Sequence, residues 1–230
     1  MTHPVVFLLD VDNTLLDNDR VVADLRRHLT KSFGDEAADR YFAIFEALRI
    51  ELGYADYLGA LQRFRNDHPH SIQLLQLSSW LVDYPFANRL YSGSLDAIAH
   101  LQRWGPVVIL SDGDVVFQPR KVERSGLWEA VGGHVLIYLH KEQEIHDVER
   151  RYPADHYVLV DDKVRLLSAF KTAWTTRLTT VFPRQGHYAL DPALVAQFPA
   201  PDLTVERIGD LLNYDRDVLI DRARSDGTRG

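Results

Sequence analysis

The stretch Val5-Val6-Phe7-Leu8-Leu9-Asp10-Val11-Asp12-Asn13-Thr14 opens with five apolar residues and breaks at Asp10 into two aspartates one residue apart. A short run that is apolar at every position, rather than at alternate ones, predicts a strand covered on both faces, as in a parallel sheet. Further apolar runs follow at residues 107–110, 135–139, 157–160 and 179–182, with a weaker one at 203–205 and helical stretches between them. This alternation predicts βαβ crossovers and an α/β core built on a doubly wound, mostly parallel sheet. A buried strand at residues 5–9 needs partners, so it belongs to the same sheet, and residues 17–90 leave the core and return.

Within that insertion Val22, Leu25, Leu29 and Phe33, then Tyr41, Phe42, Phe45, Leu48 and Leu52, recur at helical spacing. Further helices are expected over residues 54–64 and 71–81, separated from their neighbours by Gly53 and by the turn-rich Asn66-Asp67-His68-Pro69. The expected division is a core of residues 1–16 and 91–230 with a helical bundle cap over 17–90. The polar segment 221–230 is expected to fray.

Composition narrows the chemistry. The 230 residues are 46% hydrophobic and 26% charged, as for a globular chain of one large α/β unit or a core with one insertion. A net charge of −7 supplies no basic footprint for nucleic acid or an anionic membrane. The absence of cysteine excludes disulfides, a thiolate nucleophile and cysteine-ligated metal sites. Apolar runs fall far below the roughly 18 residues of a membrane span, and Asp10 interrupts any signal-like N-terminal segment, so a cytoplasmic setting is expected.

In open α/β sheets ligands gather at the carboxyl ends of the strands. The first strand delivers Asp10, Asp12 and Thr14, the next Ser111 and Asp112, the third His140-Lys141 and the fourth Asp161-Asp162. If the strand continues to Asp12, its period of two sets both carboxylates on one face, where they repel. A hard cation such as Mg²⁺ relieves that repulsion, with Asp161 and Asp162 completing its shell, while Ser111 and Lys141 hold phosphate oxygens. Asp112 and Asp114 read mainly as turn residues, with Asp112 also a candidate at the phosphate. Lys121 competes for the lysine role, but it lies inside a helix-like segment rather than after a strand. None of the ten histidines pairs at the spacing of a helical zinc site. The aromatic residues of the insertion read as bundle core, with one or two facing a cleft, and its arginines as solvated faces, one of which could clamp a substrate's far end.

In this order the motifs resemble the haloacid dehalogenase superfamily, in particular its phosphatase branch. Asp10-Val11-Asp12-Asn13-Thr14 matches the first motif, Ser111 the second, Lys141 the third and Asp161-Asp162 the fourth, and the family's helical cap commonly falls where residues 17–90 do. The resemblance implies Asp10 as nucleophile forming an aspartyl-phosphate and Asp12 as acid and base, with Mg²⁺ held by Asp10, the Asp12 carbonyl, Asp161 and Asp162. Thr14 and Ser111 orient groups, and the partner is a small phosphorylated metabolite. Departures are Glu142 after the lysine, no glycine near residues 174–178, and Lys163 in place of a small polar residue after the paired acids, which leaves two alternatives: Asp161 and Asp162 both bind metal, or one of them pairs with Lys163. The alternatives are a 2-haloacid dehalogenase, against which Asp12 argues, and a non-catalytic phosphoacceptor or binding protein.

Overall fold

The computed structural model describes residues 2–225, with side chains to residue 220. Among these, β1 (Val6–Leu9), β2 (Val107–Asp112), β3 (Val135–Tyr138), β4 (Tyr157–Val160), β5 (Leu178–Pro183) and β6 (Leu203–Val205) form one sheet. Its order is β3-β2-β1-β4-β5-β6 and every pairing is parallel. The first strand lies at the centre, as its unbroken apolar pattern requires, and Val5 through Leu9 are all fully buried. Phe7 and Leu9 join one core cluster and Val6 and Leu8 the other, the alternation that a strand between two helical layers imposes. The strand order reverses direction between β1 and β4, which makes that junction the crevice of a doubly wound sheet.

Between β1 and β2 run α1 (Asn18–Phe33), α2 (Asp35–Leu52), α3 (Tyr57–Phe64) and α4 (Ile72–Val82), followed by α5 (Ser94–Leu101). The remaining crossovers carry α6 (Phe117–Arg124), α7 (Leu127–Ala130), α8 (Ile145–Arg151), α9 (Val164–Trp174), α10 (Gly186–Leu190) and α11 (Pro192–Val195), and α12 (Arg216–Ser225) closes the described chain. Tyr41, Phe64 and Leu77, from α2, α3 and α4, are completely buried, so the periodic apolar positions meet at the centre of the inserted helices.

The insertion departs and returns through two segments that lie side by side at one bridge. Leu16 bridges Leu90 in antiparallel sense, the Asp17 N–H donates to the Arg89 carbonyl at 2.8 Å, and the Tyr91 N–H donates to the Leu15 carbonyl at 2.9 Å. Just beyond, the buried Asp24 of α1 accepts from the Tyr84 hydroxyl at 2.5 Å and from the Arg89 guanidinium at 2.6 Å.

The helix α12 runs to Ser225, and the rest of the segment expected to fray, 226–230, lies outside the described residues. One local expectation is corrected. Asp112 is the last residue of β2 and not a turn residue, since it pairs with Tyr138 across the ladder. Where a glycine was missed near residues 174–178, Thr175 itself takes positive φ, at 49°, to end α9.

Candidate active site

Register explains why the acids converge. Leu9 pairs with Val160, so the next residue of each strand, Asp10 and Asp161, leaves the sheet side by side at the crevice. The Asp10 N–H is still bound to the Val160 carbonyl at 3.0 Å, which fixes the first carboxylate to the sheet. Past Asp12 the chain turns through Asn13, at φ 62°, and closes with the Leu15 and Leu16 N–H groups on the Val11 carbonyl, both at 2.9 Å. Asn13 tolerates this left-handed conformation and its side chain accepts from the N–H groups of Asn18 and Asp19. Thr14 is buried and its hydroxyl accepts from the Asp162 N–H at 3.1 Å, tying the first loop to the fourth.

Lys141 reaches this cluster from the far side of β2. Its N–H donates to the Asp112 carboxylate at 2.7 Å and its ammonium to the Leu110 carbonyl at 3.1 Å. The same ammonium lies 2.7 Å from Asp10 Oδ1 and 2.6 Å from Asp161 Oδ2. Burial alone would lower the Lys141 pKa, but Asp10, Asp161 and Asp112 outweigh it and keep the lysine charged. Asp112 therefore seats the Lys141 backbone, a task that suits an acceptor-only carboxylate.

Asp10, Asp161 and Asp162 bring one oxygen each within 4.8 Å of the others, and all three are buried. Asp10 Oδ2 and both Asp162 oxygens have no hydrogen-bond partner among the described residues. Burial pushes Asp161 up to about 6 despite Lys141, pushes Asp162 well above the carboxylate range, and raises Asp112. Around the cluster the carboxyl groups of Asp10, Asp112, Asp161 and Asp162 outnumber the ammonium groups of Lys141 and Lys163, and burial favours the protonated forms of Asp161 and Asp162 where no further positive charge is at hand. Unpaired oxygens and all-oxygen donors fit a hard divalent cation such as Mg²⁺.

Asp12 stands apart from this cluster. Its carboxylate is held by the Lys121 ammonium at 2.6 and 2.8 Å, and that lysine also donates to Asn18 Oδ1 at 3.1 Å. Lys121 is completely buried and comes from the inner face of α6, one turn beyond the buried Phe117 whose ring it covers at 5.4 Å. From the sequence Lys121 counts only as a rival to Lys141, set second because it lies inside α6; the signal for a separate role is a lysine four residues after a phenylalanine on the apolar stripe. Ser111 is buried in β2, where its hydroxyl accepts from Gln118 at 2.9 Å.

A cavity of about 370 Å³ opens above these residues, floored by Asp12, Asp112 and Asp162. The inserted helices contribute Arg49, Gly53 and Tyr54 to its walls, and the segment after β5 contributes Tyr188, Gln197 and Phe198. Gly53 ends α2 at φ 78°, and a Cβ there would lie 2.8 Å from His140 Cε1, so only glycine lets the helix end settle against the residue before Lys141. The wall after β5 carried no recognisable motif and was not anticipated. Tyr57 is buried, its hydroxyl accepting from Asn18 at 3.3 Å, whereas Tyr54 is the tyrosine facing the cavity.

Fold and site together define a haloacid dehalogenase-like hydrolase. No protein-family model matches the chain, and no curated protein matches it. Among solved structures, a haloacid dehalogenase-like hydrolase of Burkholderia xenovorans LB400, whose name carries no substrate, is 62% identical, with a TM-score of 0.88 over 93% of this chain and 99% of that one. At that identity and coverage the chain belongs to the haloacid dehalogenase-like family. A magnesium-bound HAD-hydrolase of Bacillus subtilis is 16% identical, with a TM-score of 0.59 over 92% of this chain and 98% of that one. An L-2-haloacid dehalogenase of Xanthobacter autotrophicus, solved with chloropropionic acid covalently bound, is 18% identical, with a TM-score of 0.57 over the same shares. These two share the fold.

Proposed function

We propose that the protein is a Mg²⁺-dependent hydrolase of small phosphomonoesters that works through an aspartyl-phosphate. The observation that carries this reading is the division of labour between two aspartates. Asp10 has one oxygen on Lys141 and the other unpartnered, while Asp12 is held separately at the cavity floor by Lys121. In this reading an Asp10 carboxylate oxygen attacks phosphorus, the ester P–O bond breaks, and Asp12, which must take up a proton when the substrate binds, delivers it to the departing alkoxide. In the second half Asp12 takes a proton from the water that cleaves the acyl phosphate, which returns Asp10 and releases inorganic phosphate. Lys141 offsets the repulsion between the Asp10 carboxylate and the phosphoryl oxygens. Asp10, Asp161, Asp162 and the Asp12 carbonyl would hold Mg²⁺, which when bound supplies further positive charge to those oxygens. Displacement of halide needs no acid for its leaving group, so a dehalogenase leaves the paired Asp12 without a task. The reading includes a cytoplasmic setting and a small phosphorylated metabolite as partner, with no nucleic acid expected from the acidic charge.

Release of inorganic phosphate from a panel of small phosphoesters, in Mg²⁺ and in EDTA, tests the reading, with chloride release from 2-chloropropionate run in parallel. Phosphate release that stops in EDTA is expected. Metal-independent chloride release without phosphate release would replace it with the dehalogenase.

A further inference from the structure

One cation of the cavity takes no part in the reaction above beyond offsetting the charge of Asp162, Asp10 and Asp161. Lys163 stands where a small polar residue was expected after the paired acids, and it lines the cavity. Its ammonium lies 5.3 Å from the centroid of the Tyr188 ring and donates no hydrogen bond among the described residues. The hydroxyl of the same tyrosine accepts from Arg49 Nη1 at 3.3 Å. Glu46 occupies the other edge of that guanidinium, taking Nε at 2.9 Å and Nη2 at 2.7 Å, which turns Nη1 toward the cavity wall. Tyr188 thus spaces two cations, one from the inserted helices and one from the core. Each retains donor capacity that the protein does not fill. Lys141, with Asp10, Asp161 and a carbonyl around it, is already committed to the reacting centre.

We propose that Lys163, with Arg49 Nη1 across Tyr188, binds a second acidic group of the substrate, so that the preferred phosphomonoesters are short molecules carrying a carboxylate or another phosphate beyond the scissile one. The proposal deepens the phosphatase reading and rests on it for the word substrate. A cavity of about 370 Å³ admits such a molecule.

The test separates binding from turnover by using non-hydrolysable phosphonates. Phosphonoacetate, which carries the second acid, and methylphosphonate, which does not, are titrated calorimetrically into Mg²⁺-loaded wild type, Lys163→Met and Lys163→Arg. Wild type should favour phosphonoacetate by about 30-fold, as expected for a charge-assisted hydrogen bond in a partly closed site. Lys163→Met should reduce the preference to about threefold or less, and Lys163→Arg should recover most of it. A merely structural lysine would weaken both ligands together and leave the ratio unchanged. Retention of the preference in Lys163→Met, or no preference or no binding in folded wild type, overturns the proposal. Preferential binding without phosphate release from any ester would instead break the phosphatase reading and leave the acid-binding wall standing.

Discussion

Two lysines are buried at the carboxyl edge of the sheet, and each serves one aspartate of the tripeptide Asp10-Val11-Asp12, yet their surroundings differ in charge. Lys121 meets Asp12 with Asn18 and Gln118 beside it, a pair that is neutral in itself and satisfied by hydrogen bonds. Lys141 meets Asp10, Asp161 and Asp112 together, with Asp162 close by, and is outnumbered. A buried charge without a partner is costly, so the first arrangement is at rest and the second calls for a cation. Two positions of one loop are thereby given opposite preparation. One aspartate sits in a field that a metal and a phosphate must complete, and the other is fixed beforehand.

The largest effect expected from breaking this contrast is at Asp10. Asp10→Asn removes the attacking oxygen and one charge of the cluster, and turnover should fall by about 10⁴-fold or more while the fold survives. Loss of less than about tenfold in phosphate release, in protein free of wild type, would sink the assigned nucleophile. Next is Lys121→Met, which frees Asp12 without touching the acid cluster. We expect turnover to drop by about 10- to 100-fold, within the range of general acid–base catalysis, with Mg²⁺ affinity little changed. Rapid quenching would show whether phosphoenzyme accumulates. If Lys121→Met weakens Mg²⁺ as strongly as a change at Asp162, the two lysine sites are not independent and the contrast fails.

The smallest effect is thermodynamic. Asp161 is raised from 3.8 to about 6 by burial, so between those values the folded chain holds more protons than the unfolded one, and stability falls as pH rises through this window. Mg²⁺ should restore it, so urea midpoints ought to rise with Mg²⁺ far more at pH 7 than at pH 5. Equal midpoints in Mg²⁺ and EDTA at pH 7 would argue against a cation in this cluster.

Much of this was legible in the sequence because it depends on where buried strands stop. An unbroken apolar run that ends in Asp10 announces both a central strand and a carboxylate at its carboxyl end, and the same logic applies to Asp161-Asp162 after residues 157–160. Lys141 follows from β3 in the same way. Lys121 did not, because its role depends on how α6 rotates against the first loop, and helical periodicity alone treats an isolated lysine as solvent-facing. Tyr188 and Phe198 were hidden for another reason. The short helices α10 and α11 have too few turns to show a period, and they become a wall only when the chain after β5 folds back over the crevice. Arg49 was one arginine among eight in the insertion, and only its place near the end of α2 sets it apart.

The pairing at Leu16 and Leu90 bears on how the two parts are joined. The inserted helices leave and re-enter the core through two segments that meet at one antiparallel bridge, just where the turn carrying Asp10 and Asp12 closes on the Val11 carbonyl. Beyond that bridge the helices are seated on the core a second time, by the ring of Tyr57 on Phe117 and by His187 on Asp19. The Asp10 amide is meanwhile bonded to β4 at Val160. One short loop is therefore both the root of the inserted helices and the seat of the Asp10 carboxylate.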